Sequence, residues 1–135
     1  MKIAALIARN LLGLLFFVFG LNGFLHFIPM GPPPTGIAGQ FIGALLQTHY
    51  FVVVAGIQII GGALLLVNRY VPLALVVLGP VITNILLFHL LLEPKGWAMG
   101  VLVALLWVIV AISARRYLSG IFAQRMEGSG PALKS

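Results

Sequence analysis

The side chains of this sequence that could do chemistry are few, and they sit inside apolar runs. Asn84, His89 and Glu93 lie in the stretch Val81-Ile82-Thr83-Asn84-Ile85-Leu86-Leu87-Phe88-His89-Leu90-Leu91-Leu92-Glu93. Asn22 and His26 end a first apolar run, His49 precedes a second, and Gln58 lies within it. An amide or imidazole in hydrocarbon costs free energy unless something pairs with it, so each of these needs a reason. Asn22 and His26, like His89 and Glu93, are four residues apart and share a helix face. The five-residue step from Asn84 to His89 turns roughly 140° and climbs about 7 Å, so those two need not share one.

Three chemistries suit this set. The plainest is structural: histidines near helix ends bond to loop carbonyls or headgroups, and Asn22, Asn84 and Gln58 bond across helices, at about 0.6–2 kcal/mol per pair. The second is a pocket for a quinone or lipid. A quinone carbonyl needs a donor, which His or Asn supplies, and a neutral imidazole passes protons near neutral pH. The third is a metal or haem site built from His26, His49, His89 and Glu93. No two histidines stand at i, i+3 or i+4, and only Lys95 could meet haem propionates, so the metal and haem reading is the weakest. Hydrolysis is disfavoured: Ser113 and Ser119 lie far from every histidine, and Glu93 and Glu127 fall at opposite ends.

The elements that position these groups follow from composition. Of 135 residues, 61% are apolar and 7% charged. A soluble domain carries roughly a quarter charged residues, so the bilayer must be the solvent. Cysteine is absent, which removes thiol chemistry. The net charge of +6 sits at the ends of apolar runs, which reads as membrane topology and not as a nucleic-acid stripe.

The first span is expected over Leu11–Ile28, about the thickness of a bilayer core. Its basic start and apolar centre also fit a signal peptide, but the run is long for one. Pro29-Met30-Gly31-Pro32-Pro33-Pro34 stops it. Thr35 would cap a short interfacial or re-entrant helix over Gly36–Thr48, with Ile37, Phe41, Ile42, Leu45 and Leu46 as its apolar face. Further spans are expected over Tyr50–Val67, Val71–Leu92 and Trp97–Ala114, with a kink at Gly79-Pro80 that strips the Val76 carbonyl of its partner. The fold class is therefore an all-α membrane protein, a four-transmembrane-helix bundle over residues 1–120, with a flexible cytoplasmic tail over 121–135.

Lys2, Arg9, Arg69, Arg115, Arg116, Arg125 and Lys134 all fall on one side of that bundle and Lys95 alone on the other, which places both termini in the cytoplasm. The three histidines and Glu93 then gather in the outer half, and Gln58 lies nearer mid-membrane.

Two local patterns carry a family resemblance. Gly13-Leu14-Leu15-Phe16-Phe17-Val18-Phe19-Gly20-Leu21-Asn22-Gly23-Phe24 is an apolar run with spaced glycines leading to a polar residue. In Gly56-Ile57-Gln58-Ile59-Ile60-Gly61-Gly62, followed by an apolar run ending at Asn68-Arg69, a polar residue precedes a glycine pair. With the order of spans, these resemble the DoxX family of small four-helix membrane proteins over roughly Arg9 to Tyr117. That family often has a lysine near Asn22 and a glutamate at the place of Gln58, so a charged pair is replaced by neutral amides.

The resemblance implies a bacterial inner-membrane protein. Some members are linked to sulfur oxidation with quinone as acceptor, others join membrane oxidant-defence complexes, and distant relatives are chaperones for receptor assembly. The sequence thus leads to a quinone- or lipid-binding protein supporting a membrane redox complex. His26 and His89 would contact the ligand and Asn22, Asn84 and Gln58 would orient it, with His49 and Glu93 as further candidate ligand-binding residues. The alternative is a ligand-free chaperone or assembly module, which predicts a closed core and exposed small-residue grooves. A homodimer or another membrane protein is the expected partner, and a transporter would need the dimer, since four spans leave little room for a pore.

Overall fold

The computed structural model describes residues 2–27 and 34–124. The proline stop up to Pro33, the Ile28 end of the first span and the tail from 125 onward, with Glu127, lie outside them. Every described element is helical. Helix α1 spans Lys2–Leu25, α2 Gly36–Gln47, α3 Tyr50–Leu66, α4 Val71–Leu87, α5 Trp97–Ser113 and α6 Arg115–Leu118. A π-helical turn over Phe88–Leu92 prolongs α4, and short 3₁₀ turns cover Pro94–Gly96 and Ser119–Phe122.

Each long helix buries one stripe. On α1 the stripe is Ala8, Leu12, Phe16 and Gly20, at four-residue steps. On α5 it is Gly100, Val103, Leu106 and Val110. Such spacing puts every member on one face of a 3.6-residue helix. The stripes meet in a core centred on Leu12, Phe16, Leu65, Leu75, Leu78 and Val110. Helix α1 packs on α3 and α5, and α4 packs on the same two, which closes a ring of four.

The other faces are apolar as well. Ile60 is 62% exposed, Leu91 73% and Leu105 56%. Apolar side chains displayed on all sides of a bundle require an apolar solvent. Among the described residues Lys2–Leu25, Val71–Leu92 and Pro94–Ser113 are long and apolar enough to cross a membrane. A fourth crossing is reached if α2 and α3, bent by 81°, count as one broken unit. The 17 residues of α3 rise only about 25 Å, short of the roughly 30 Å of a hydrocarbon core.

Glycines set the closeness of α1 to α3. A methyl group on Gly62 would stand 2.6 Å from the Phe17 amide nitrogen, and one on Gly13 2.9 Å from the Gly62 carbonyl. No real Cβ approaches backbone so closely, so these glycines are packing residues.

Helix α2 begins where expected. Thr35 occupies the position before it in extended conformation, but its side chain makes no capping bond. Only Ala38 of α2 is buried, while Ile37, Phe41 and Leu46 are exposed. Thr48 makes the corner. Its hydroxyl donates to the Ala44 carbonyl at 2.8 Å and accepts from the Tyr50 N–H at 3.3 Å.

Helix α4 runs on through Pro80. The Trp107 indole donates to the Leu75 carbonyl at 2.9 Å, tying α5 to α4 one residue before the expected loose carbonyl of Val76. Thr83 bonds back to the Gly79 carbonyl at 3.0 Å.

Candidate functional site

The π turn decides how His89 is presented. The Glu93 N–H reaches back five residues to the Phe88 carbonyl at 2.8 Å, and one wider loop of backbone replaces an α turn. Such turns inside α-helices frequently occur at functional sites. Glu93 then leaves the helix, at φ −139° and ψ 82°. His89 and Glu93 still pair, but through the main chain: the imidazole Nδ1 lies 3.3 Å from the Glu93 carbonyl oxygen. A carbonyl only accepts, so this bond puts the hydrogen on Nδ1 and leaves Nε2 of the neutral ring as an acceptor.

The ring is held on two further sides. Phe88 meets it edge-on at 5.2 Å between centroids. On the other side it lies against the glycines of the Pro94–Gly96 turn and of α5: a methyl group on Gly96 would overlap it and one on Gly100 would touch it at 3.5 Å.

His89 opens onto a cavity of about 200 Å³ between the four long helices. Leu15, Phe16 and Phe19 of α1 form one wall, Met99 and Val103 of α5 another. Ile85 and His89, one turn apart, come from α4, and Gln58 comes from α3. Among the described residues Gln58 and His89 are the two polar side chains lining it, and both are half-buried.

The other expected site residues lie elsewhere. Asn22 is buried in α1 and partnered, but it does not line the cavity. His26 follows α1 in the left-handed region at φ 52°, with its side chain exposed. His49 sits exposed at the corner before α3. Asn84 is exposed on the outer surface of α4, because the step to His89 carries it around the helix. Its neighbour Ile85 takes the inward place. Glu93 is half-buried and contributes its carbonyl to His89. The expected group of seven thus reduces to Gln58 and His89 at the cavity, with Glu93 behind. Among the described residues no three His, Asp or Glu side chains converge as a metal-ligand set.

Sequence reasoning missed Met99, Gly96 and the α1 aromatic wall as parts of this site. Phe16 and Phe19 lie in a long apolar run, where nothing in their types singles them out. Comparison with protein-family models, curated proteins and solved structures returned no match.

Proposed function

We propose that this chain is a DoxX-like integral membrane protein of the bacterial inner membrane, with four spans and both termini cytoplasmic. It binds a quinone or lipid headgroup between its helices and supports a membrane redox complex. The observation that carries this reading is that Gln58 and His89 line one otherwise apolar cavity fed by four helices. An apolar cavity with a few convergent polar groups is the common form of a small-molecule site. The pair is complementary: the Gln58 amide donates to a carbonyl oxygen, and Nε2 of His89 accepts from a hydroxyl. A quinone ring presents the first group and its quinol the second.

Size narrows the ligand. The cavity holds about 200 Å³, below the roughly 300–1,000 Å³ of pockets that enclose drug-sized molecules. It accommodates a ring headgroup, while an isoprenoid tail would run outside among the exposed leucines of the bundle.

The test is an organic extract of the purified protein analysed by mass spectrometry, joined to titration with a short-chain quinone. A bound quinone, with affinity lost in Gln58→Leu and His89→Leu, is the expected result. Absence of both a bound and a titratable quinone would sink the reading.

One observation favours the alternative of a ligand-free assembly module. The Asn84 amide is exposed on an apolar face of α4, where lipid offers it no partner. A neighbouring membrane protein would supply one. Against it, Gly13, Gly20, Gly61 and Gly62 are consumed in packing within the bundle and leave no open small-residue groove there.

A further inference from the structure

At the opposite end of the bundle from His89 lies a larger cleft of about 730 Å³. It forms where α1 begins, α3 turns into α4 and α5 ends. Lys2, Arg9 and Arg115 line it, with Tyr70, Tyr117 and Asn68 beside them. Its remaining wall is apolar and includes Leu6, Val71 and Val110.

The charge is one-sided. The only acid among the described residues is Glu93, at the far end of α5, about 30 Å from Arg115 by helical rise. Arg9 is fixed in the cleft: its guanidinium donates to the Leu65 carbonyl at the C-terminal end of α3, a position where a cation is favoured. That carbonyl engages only part of the five-donor fork. Lys2 and Arg115 are exposed at the rim. Like charges brought together with no carboxylate nearby among the described residues repel, so the cleft is set up for an anion.

Depth and wall chemistry say which anion. The cleft lies at the ends of helices long enough to cross a membrane, at the level of the headgroups. Tyr70 and Tyr117 are exposed there, as amphipathic rings are at that boundary. Basic pockets between helices at this depth suit phosphate headgroups. A free anion would engage the three cations but leave the apolar wall bare, whereas a phospholipid covers both.

We propose that this cleft binds the headgroup of an anionic phospholipid, the phosphate at Lys2, Arg9 and Arg115 and the first part of an acyl chain along Leu6, Val71 and Val110. The site is separate from the Gln58–His89 cavity and does not rest on its ligand.

The test uses the full chain purified in detergent and titrated separately with short-chain phosphatidylglycerol, short-chain phosphatidylcholine and inorganic phosphate, read by native mass spectrometry. The expected result is preferential binding of phosphatidylglycerol. Arg115→Gln weakens it about fivefold and Lys2→Gln/Arg115→Gln about 25-fold, one step for each cation removed. Arg69→Gln, which removes a charge at the same end but outside the cleft, leaves it unchanged. Equal binding of the two lipids overturns the proposal, as does equal loss in Arg115→Gln and Arg69→Gln. Displacement of phosphatidylglycerol by millimolar inorganic phosphate, with phosphate itself retained, assigns the cleft to a soluble anion and overturns the lipid.

Discussion

His89 rests on Gly96, so closely that a methyl group there would stand 2.6 Å from the imidazole Nδ1. The backbone of Gly96, at φ −98° and ψ 17°, is open to any residue, so contact alone demands glycine. Gly96→Ala is therefore expected to swing the ring, lengthen its 3.3 Å contact with the Glu93 carbonyl and change the face His89 presents to the cavity. The cost of such overpacking is about 1–3 kcal/mol. Quinone titration should show at least a severalfold loss for Gly96→Ala. Gly100→Ala should bind normally, because its methyl would meet the ring at an ordinary 3.5 Å. Equal behaviour of the two variants would show that the seat on Gly96 does not matter.

The α1–α3 seam makes a second prediction. A methyl group on Gly62 meets the backbone of Phe17 at 2.6 Å, and backbone cannot step aside. Gly62→Ala should separate the helices and destabilise the bundle by about 1–3 kcal/mol in detergent-titrated unfolding. Gly56, on the same helix, has nothing within 4 Å of an added Cβ. Gly56→Ala should fall within about 0.5 kcal/mol of the parent. A small effect at both positions would mean that the seam is looser than its geometry.

What was legible in the sequence was what period and composition control. The helical class, the Val71–Leu92 segment and the helix from Gly36 followed from apolar run lengths and breakers. The five-residue step from Asn84 to His89 already said that the two need not share a face, and Asn84 does face outward. What stayed hidden depended on contacts between distant segments. Nothing local in Leu15-Phe16 distinguishes a cavity wall from a lipid-facing side chain, and Gln58 lines the same cavity as His89 only because α3 and α4 pack side by side. The π turn was invisible because Phe88-His89-Leu90-Leu91-Leu92 has no breaker. It arises where the chain must leave α4 and reach Pro94.

Trp107 tests how polar ties hold the bundle. Its indole N–H reaches the Leu75 carbonyl at 2.9 Å across the α4–α5 interface, next to Pro80. Trp107→Phe keeps an aromatic ring but removes the donor. A loss of about 0.6–1.7 kcal/mol is expected in detergent-titrated unfolding, the range of interhelical hydrogen bonds in bilayer proteins. No loss at all would mean that the carbonyl is equally well satisfied within α4.

Access to the cavity makes the last prediction, and it rests on a chain of three rings. Phe41 of α2 packs on Phe88 at 5.7 Å between centroids, and Phe88 meets His89 at 5.2 Å. Helix α2 otherwise buries only Ala38, so its hold on the π turn is slight and Phe41 is a main part of it. If α2 restricts access to His89, fixing it there should slow ligand exchange. The chain has no cysteine, so Phe41→Cys/Phe88→Cys carries the only two thiols. Closing them with a short thiol-specific cross-linker should lower both the association and the dissociation rate of a short-chain quinone in stopped-flow measurements relative to the same double variant left open, with the affinity nearly that of the open variant, because both lack the Phe88 contact with His89. The same double variant left open should exchange at least as fast as the parent, since the ring contact, worth about 0.5–1.5 kcal/mol beyond its area, is gone. Unchanged rates in the cross-linked protein would mean that ligand reaches the cavity from the side, between the long helices, and that α2 is no lid.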